Sequence, residues 1–308
     1  MPLLVTVPNE RLATNIGEVP AGVDLRVWDM RSPAPADRID IVVPPYMGST
    51  GSLEALEGLS VGLVQSQSIG YDGVEEILPA GIPFANAASV HETATAELAV
   101  GLMIAAQRQF PRFAAAQQRG EWAPVFADSL ADRRVLLVGF GGVGKAIAQR
   151  LAPFEVTITA LARSARTEQV EGLGDIAVHG IDELPALLPH AEIVILSLPG
   201  NAETHHLFDA AMIARMAPDA LLVNVGRGPL VDTDALLQAL QEGRIRAASD
   251  VFEQEPLPEG HPLWKAPNLI ISPHNGGAAT AMNPRMARLV RNQIERMLAG
   301  EAPLNIVL

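Results

Sequence analysis

Three polar side chains of complementary chemistry follow short apolar runs in the C-terminal half of the chain. Arg227 closes Val223-Asn224-Val225-Gly226-Arg227-Gly228, Glu255 lies in Asp250-Val251-Phe252-Glu253-Gln254-Glu255-Pro256, and His274 ends Leu269-Ile270-Ile271-Ser272-Pro273-His274. The apolar runs read as strands, and in open α/β sheets ligands lie beyond the carboxyl ends of strands. A guanidinium can anchor a carboxylate, while a carboxylate beside an imidazole stabilises the imidazolium and raises its pKa. A histidine so raised suits donation of a proton to a carbonyl oxygen near neutral pH. Plainer roles stay open: Arg227 as a strand-end cap or partner of Asp232, Glu253 and Glu255 as solvated loop charges. His91, His205 and His206 have no comparable companions and read as surface or interdomain residues.

A second constellation lies upstream. Gly139-Phe140-Gly141-Gly142-Val143-Gly144 follows the apolar run Val135-Leu136-Leu137-Val138, and Val143, Ile147 and Leu151 then recur every four residues. Strand, glycine turn and amphipathic helix in that order make the dinucleotide-binding fingerprint. Gly139 permits the tight turn, Gly141 lets the backbone approach a pyrophosphate, and Gly144 lets helix and strand pack closely. Free amides at the helix start, around Gly142 and Val143, would face the phosphates. A structural turn without a ligand is the alternative.

An acidic residue that holds an adenine ribose is due about 20 residues further on. Ala162-Arg163-Ser164-Ala165-Arg166 stands there instead, with no Asp or Glu. Arg163, Ser164 and Arg166 suit a 2′-phosphate, and no carboxylate is read there to repel it. NADP(H) is the preferred cofactor on this reading, with NAD(H) second. An ordinary exposed basic loop is the competing one.

Strand–helix alternation carries these residues. Strands are expected at 3–7, 23–28, 40–44, 62–66 and 83–87, with helix-like stretches at 53–59 and 74–78. One long helix is expected over 93–118. A second series follows, with strands at 135–139, 155–161, 192–198, 220–225, 246–250 and 269–273, and helices at 142–152, 182–189, 208–216, 233–242 and 278–299. Such alternation implies α/β architecture with parallel sheets covered by helices on both faces.

With 308 residues, two domains are the natural division. A net charge of −13 disfavours a nucleic-acid partner, since neutralising phosphates takes clustered Lys and Arg. The absence of cysteine excludes disulfides, a thiol nucleophile and thiolate metal ligands, and no other metal-ligand set is read. Neither a signal peptide nor a bilayer-spanning run is recognised, so a soluble, cytoplasmic protein without a membrane partner is expected.

Taken together, these motifs resemble those of the D-isomer-specific 2-hydroxyacid dehydrogenases. The resemblance runs from Ser68-Ile69-Gly70-Tyr71-Asp72, through Ala96-Glu97, Trp122 and Leu198-Pro199 followed by Thr204, to His274-Asn275-Gly276-Gly277. It implies two Rossmann-like or flavodoxin-like parallel-sheet domains, a nucleotide-binding domain (98–275) inserted into a substrate domain (1–97 and 276–308). It also implies that Arg227, Glu255 and His274 are catalytic. Thr95, Leu198, Pro199, Thr204, Val225 and Asp250 would contact the cofactor, and the Ile69 and Gly70 amides the substrate carboxylate. Tyr46 and Met47, in Pro44-Pro45-Tyr46-Met47-Gly48, are read either as narrowing the substrate pocket or as packing at the domain boundary. The loops are similar to those of the glyoxylate and hydroxypyruvate reductase branch, and a homodimer built through the nucleotide domain is implied. A phosphoglycerate dehydrogenase-like enzyme and a non-catalytic NAD(P)-sensing co-repressor are the rival functions. Formate dehydrogenases are disfavoured because they carry Gln where this chain has Glu255.

Overall fold

The structure is a computed structural model that describes residues 2–47 and 50–308; Gly48, within the expected substrate segment, lies outside the described residues. The chain divides into two compact units, 1–91 with 277–308, and 92–276.

The first unit is built on a five-stranded parallel sheet in the order β2-β1-β3-β4-β5, with β1 Leu3–Val7, β2 Val23–Val27, β3 Arg38–Val42, β4 Ser60–Gln65 and β5 Phe84–Ala85. Alternate residues face opposite sides, as strand geometry requires. Val5, Val7, Ile41 and Leu63 pack beneath α1 (Glu10–Ile16) and the C-terminal helix Met282–Leu298, through Leu12, Ile16, Met286 and Val290. Leu4, Val42 and Val64 meet Trp28, Leu56 and Phe84 on the other face. The expected helix at 53–59 is a 3-10 helix, Thr50–Leu56, and 74–78 forms consecutive turns.

The second unit holds an eight-stranded sheet, order β13-β12-β11-β10-β6-β7-β9-β8. Its strands are β6 Arg134–Val138, β7 Thr157–Ala162, β8 Arg166–Val170, β9 Gly174–Gly180, β10 Ile193–Leu196, β11 Leu221–Asn224, β12 Arg246–Ser249 and β13 Leu269–Ile271. All pairings are parallel except β8 with β9. Helices are α2 Glu92–Gln107, α3 Phe110–Gln118, α4 Gly142–Leu151, α5 Leu184–Leu187, α6 Ala210–Arg215 and α7 Thr233–Gln241. One sheet face carries Val135, Leu137, Ile195 and Val223 against Ala99, Met103 and Ile147; the other carries Leu136, Val138, Val194 and Leu222 against Phe208, Ile213 and Leu240. Burial on both faces explains why these strands read as continuous apolar runs.

Three expectations are corrected here. The helix expected over 93–118 is broken, because Gln109 takes a left-handed backbone (φ 56°) and Pro111 lacks the amide that would continue the ladder. The first break between units falls at 91/92 rather than 97/98, since α2 is continuous from Glu92 and packs whole within the second unit. The second falls at 276/277 rather than 275/276, Gly276 being held by the Asp250 carboxylate of the second unit. Among the described residues, no helix is long and apolar enough to cross a membrane.

Candidate active site

In the second unit β7 and β10 flank β6 on opposite sides, so the sheet order reverses at the carboxyl end of β6, where α/β folds bind ligands. The glycine turn sits there. Gly139 has φ +107°, and a Cβ on it would lie 2.8 Å from the Ser197 carbonyl carbon at the end of β10. The Ser197 hydroxyl donates to the Gly139 carbonyl at 2.9 Å and fastens the turn to that strand. A Cβ on Gly144 would come within 2.1 Å of the same carbonyl oxygen, whereas one on Gly141 would meet nothing within 4 Å. α4 begins after Gly141 with no side-chain cap, which leaves its first amides available. An open cradle at Gly141 beside uncapped amides fits a dinucleotide pyrophosphate.

Two glycines likewise place Arg227. A Cβ on Gly226 would lie 2.7 Å from the Leu198 carbonyl, and one on Gly228 would collide with the Phe252 carbonyl at 1.9 Å. Asn224, buried at the end of β11, accepts from the Gly226 amide (3.0 Å) and donates to the Arg227 carbonyl (2.9 Å). The half-buried Arg227 is thereby wedged between the loops after β10 and β12.

His274 and Glu255 face each other, with Nδ1 to Oε2 at 2.6 Å. The other carboxylate oxygen accepts from the Phe252 amide at 2.7 Å, so both oxygens are held. This hydrogen bond from Glu255 raises the His274 pKa above its ordinary value; burial opposes it, the Glu255 and Asp250 charges add to it, and the Arg227 charge subtracts. Burial pushes the Glu255 carboxyl upward, but the hydrogen bonds from His274 and Phe252, with the His274 and Arg227 charges, leave it below the usual range. With Nδ1 committed to Glu255, Nε2 is the ring position available to a substrate.

Asp250 has an organising role that sequence reading missed. Buried at the end of β12, it accepts from the Ser272 hydroxyl (2.5 Å) and the Asn275 (2.7 Å) and Gly276 (2.8 Å) amides. It therefore fixes the loop that carries His274, whose own amide donates to the Asp250 carbonyl at 2.7 Å. Thr95 lies beside Gly276, and Val225 is buried. Thr204 closes the 199–204 turn by donating to the Pro199 carbonyl at 2.9 Å, which shapes the Leu198-Pro199 segment.

At the expected 2′-phosphate site, Arg163, Ser164 and Arg166 are exposed as a loop would be. Among the described residues Arg163 has no acidic partner. Arg166 opens β8 and donates to the Phe140 carbonyl (3.2 Å) and, twice, to Glu168 Oε2 (3.0 and 2.7 Å). Glu168 also pairs with Lys145. The expectation that no carboxylate stands near is thus corrected: Arg166 and Glu168 are two positions apart on β8, so their side chains share a face of the strand and pair.

The first unit holds the other expected residues. The 68–70 loop is braced by Asn86, which donates to the Ile69 carbonyl at 2.9 Å. Among the described residues, neither the Ile69 nor the Gly70 amide has a protein acceptor. Tyr46 stacks on His91 (centroids 5.6 Å apart), and Met47 is exposed. His91, expected at a surface or between domains, is buried, its ring nitrogens 2.6 and 3.1 Å from the Gln67 and Gly277 carbonyls. Two further corrections lie in the second unit. His206 stacks against His205 and pairs with Glu253, and Glu253 is accordingly no freely solvated loop charge.

The profile described as "D-isomer specific 2-hydroxyacid dehydrogenase, NAD binding domain" matches residues 100–276, more than half of the chain. The chain belongs to the D-isomer-specific 2-hydroxyacid dehydrogenase family. It is an NAD(P)-dependent oxidoreductase of that family. Among curated relatives, glyoxylate/hydroxypyruvate reductase A of Serratia proteamaculans is 31% identical over 292 residues, covering 92% of this chain and 90% of that one. D-3-phosphoglycerate dehydrogenase of Methanocaldococcus jannaschii is 34% identical over 260 residues, which are 83% of this chain and 48% of that longer relative. A crystal structure of a D-isomer-specific 2-hydroxyacid dehydrogenase from Xanthobacter autotrophicus Py2, in complex with NADPH and MES, has a TM-score of 0.81 at 29% identity, covering 99% of this chain and 98% of that one.

Proposed function

We propose that this dehydrogenase reduces a small 2-oxo acid of the glyoxylate or hydroxypyruvate type to the D-2-hydroxy acid, with NADPH preferred over NADH. The observation that carries the reading is the His274–Glu255 pair, closed at 2.6 Å, with Arg227 near enough for its charge to act on both partners. When bound, the dinucleotide supplies a hydride from the nicotinamide ring. Arg227 anchors the substrate carboxylate and polarises its carbonyl, assisted by the Ile69 and Gly70 amides. His274 gives its proton to the forming alkoxide, and Glu255 holds the ring in register and stabilises its charged form. On this reading Asp250 would contact the nicotinamide, Thr95, Leu198, Pro199, Thr204 and Val225 would line the cofactor site, and Gly139 to Gly144 would take the pyrophosphate. A nucleotide sensor needs the glycine turn but not an acid–base pair, so the pair favours catalysis. The similarity to a glyoxylate/hydroxypyruvate reductase along nearly its whole length supports the substrate class. NADPH or NADH oxidation with glyoxylate, hydroxypyruvate, pyruvate, phenylpyruvate and 3-phosphohydroxypyruvate tests it. Highest kcat/KM on the phosphorylated acid would move the reading to a phosphoglycerate dehydrogenase.

The cofactor preference rests chiefly on Arg163 and Ser164, because Glu168 already engages Arg166. Arg163→Ala is expected to raise KM for NADPH by about tenfold or more, the loss of a charge-assisted pair, while KM for NADH barely moves. Equal changes for the two cofactors would remove the phosphate contact from the scheme.

The Glu255 partnership has a pH signature. Reduction needs the imidazolium, so kcat/KM is expected to stay level at low pH and fall as pH rises through a His274 pKa above 6.5. In Glu255→Gln the anion that raises this pKa is gone, and the falling limb moves to lower pH. A limb that stays in place would exclude Glu255 as the supporting carboxylate.

A homodimer is also part of this reading. Trp122 and Phe126 are fully exposed in a segment without regular structure, and Phe110 and Phe113 of α3 are exposed nearby in sequence. Apolar surface of this kind is the type a second copy covers.

A further inference from the structure

The catalytic scheme makes no use of a compact group of donors elsewhere in the second unit. His205, His206 and Glu253 each offer one donor atom, all within 4.8 Å of one another. We propose that these three side chains bind a single divalent d-block cation of the zinc type, with two imidazole nitrogens and one carboxylate oxygen as ligands.

Three features support this. First, two of the ligands face groups that can orient them, Glu253 through a hydrogen bond and His206 through a nearby charge. His206 Nε2 lies 2.6 Å from Glu253 Oε1, and its Nδ1 lies 3.7 Å from Asp232. A carboxylate behind the non-ligating nitrogen is the usual means of orienting a metal-bound histidine. The second oxygen of Glu253 accepts from the Thr233 amide at 2.8 Å, which fixes the carboxylate in turn. Second, the local charge suits a dication. Asp232 and Asp209 act on His206 together with Glu253, and each Asp is pinned as a helix cap, on α7 and α6 respectively. Third, a plain His206–Glu253 ion pair gives His205 no role. Its ring stacks on His206 with centroids 4.0 Å apart and, among the described residues, makes no hydrogen bond of its own.

Metal–ligand bonds of about 2.0–2.1 Å set tetrahedral donors about 3.3 Å apart. The His206–Glu253 pair must open, the widest spacing must close, and the stacked His205 and His206 rings must turn so that their lone pairs converge on the ion. The ion would then tie the 201–206 turn after β10 to the loop after β12, the loop that also carries Glu255.

The test uses untagged, chelator-treated full-length protein and CoCl2 as probe, followed by displacement with ZnCl2. One Co2+ per chain with a visible d–d spectrum is expected, and Zn2+ should displace it and raise Tm. His205 is exposed, so His205→Ala should fold normally; it should weaken Zn2+ binding by about tenfold or more and abolish the rise in Tm. Glu253→Gln, which keeps the side-chain shape, should weaken binding similarly. Absence of a saturable Co2+ spectrum in the wild type, or unchanged Zn2+ affinity in His205→Ala, overturns the site.

Discussion

His274→Ala is expected to lower kcat for 2-oxo acid reduction by about 10²–10⁴-fold, the contribution typical of a positioned general acid. NADPH affinity should hardly change. The separation follows from how the loop is built. Asp250 holds it through the Ser272 hydroxyl and the backbone amides of Asn275 and Gly276, and none of those bonds involves the imidazole. The ring itself is only half-buried, so truncation opens little cavity and Tm should stay close to wild type. What disappears is the proposed proton donor, whose pKa Glu255 raises. Steady-state kinetics with a separate NADPH titration make the measurement. Near-wild-type turnover would sink the acid–base assignment, and a parallel loss of NADPH binding would mean that His274 serves the cofactor instead.

Legibility in the sequence followed the physics of each element. The parallel strands were plain because burial on both faces leaves runs such as Ile193–Leu196 wholly apolar. β8 was hidden for the opposite reason. In Arg166–Val170 only Val170 is buried, so an exposed edge hairpin looked like a basic loop, and Glu168 was never placed beside Arg166. The α2–α3 break falls at Gln109 and Pro111; the proline was a readable stop, but the helical pattern on both sides of it masked the break, and the left-handed turn at Gln109 has no local signature.

The proposed catalytic residues were legible as types at strand ends, but their supports were not. Ser197 and Ser272 are ordinary polar residues until folding brings their partners from 58 and 22 positions away, whereas Asn224 bonds within its own turn. His206 and Glu253 are 47 positions apart, and nothing in the local sequence of either announces the pair. Short-range patterning reports what a residue does to its own element; long-range pairing is fixed by topology.

Gly141→Ala and Gly144→Ala are expected to fail in opposite ways, although both glycines belong to one motif. At Gly144 the added methyl meets the Gly139 carbonyl oxygen at 2.1 Å and its carbon at 3.0 Å. These are backbone atoms held by the β6–β7 ladder and the Ser197 hydroxyl, so α4 must move off the sheet. Overpacking of this kind costs about 1–3 kcal/mol, enough to lower Tm by several degrees, and NADPH binding falls with it because the α4 amides are displaced. At Gly141 the backbone lies at φ −87°, ψ −158°, open to any residue, and the new methyl meets no protein atom within 4 Å. Gly141→Ala should therefore keep or slightly raise Tm through a less flexible unfolded chain, while NADPH affinity drops at least about tenfold as the methyl takes space needed by the pyrophosphate. Thermal melts and NADPH titrations of the two variants separate these outcomes. Wild-type NADPH affinity in Gly141→Ala would move the dinucleotide away from this turn, and wild-type stability in Gly144→Ala would show that α4 can yield without cost.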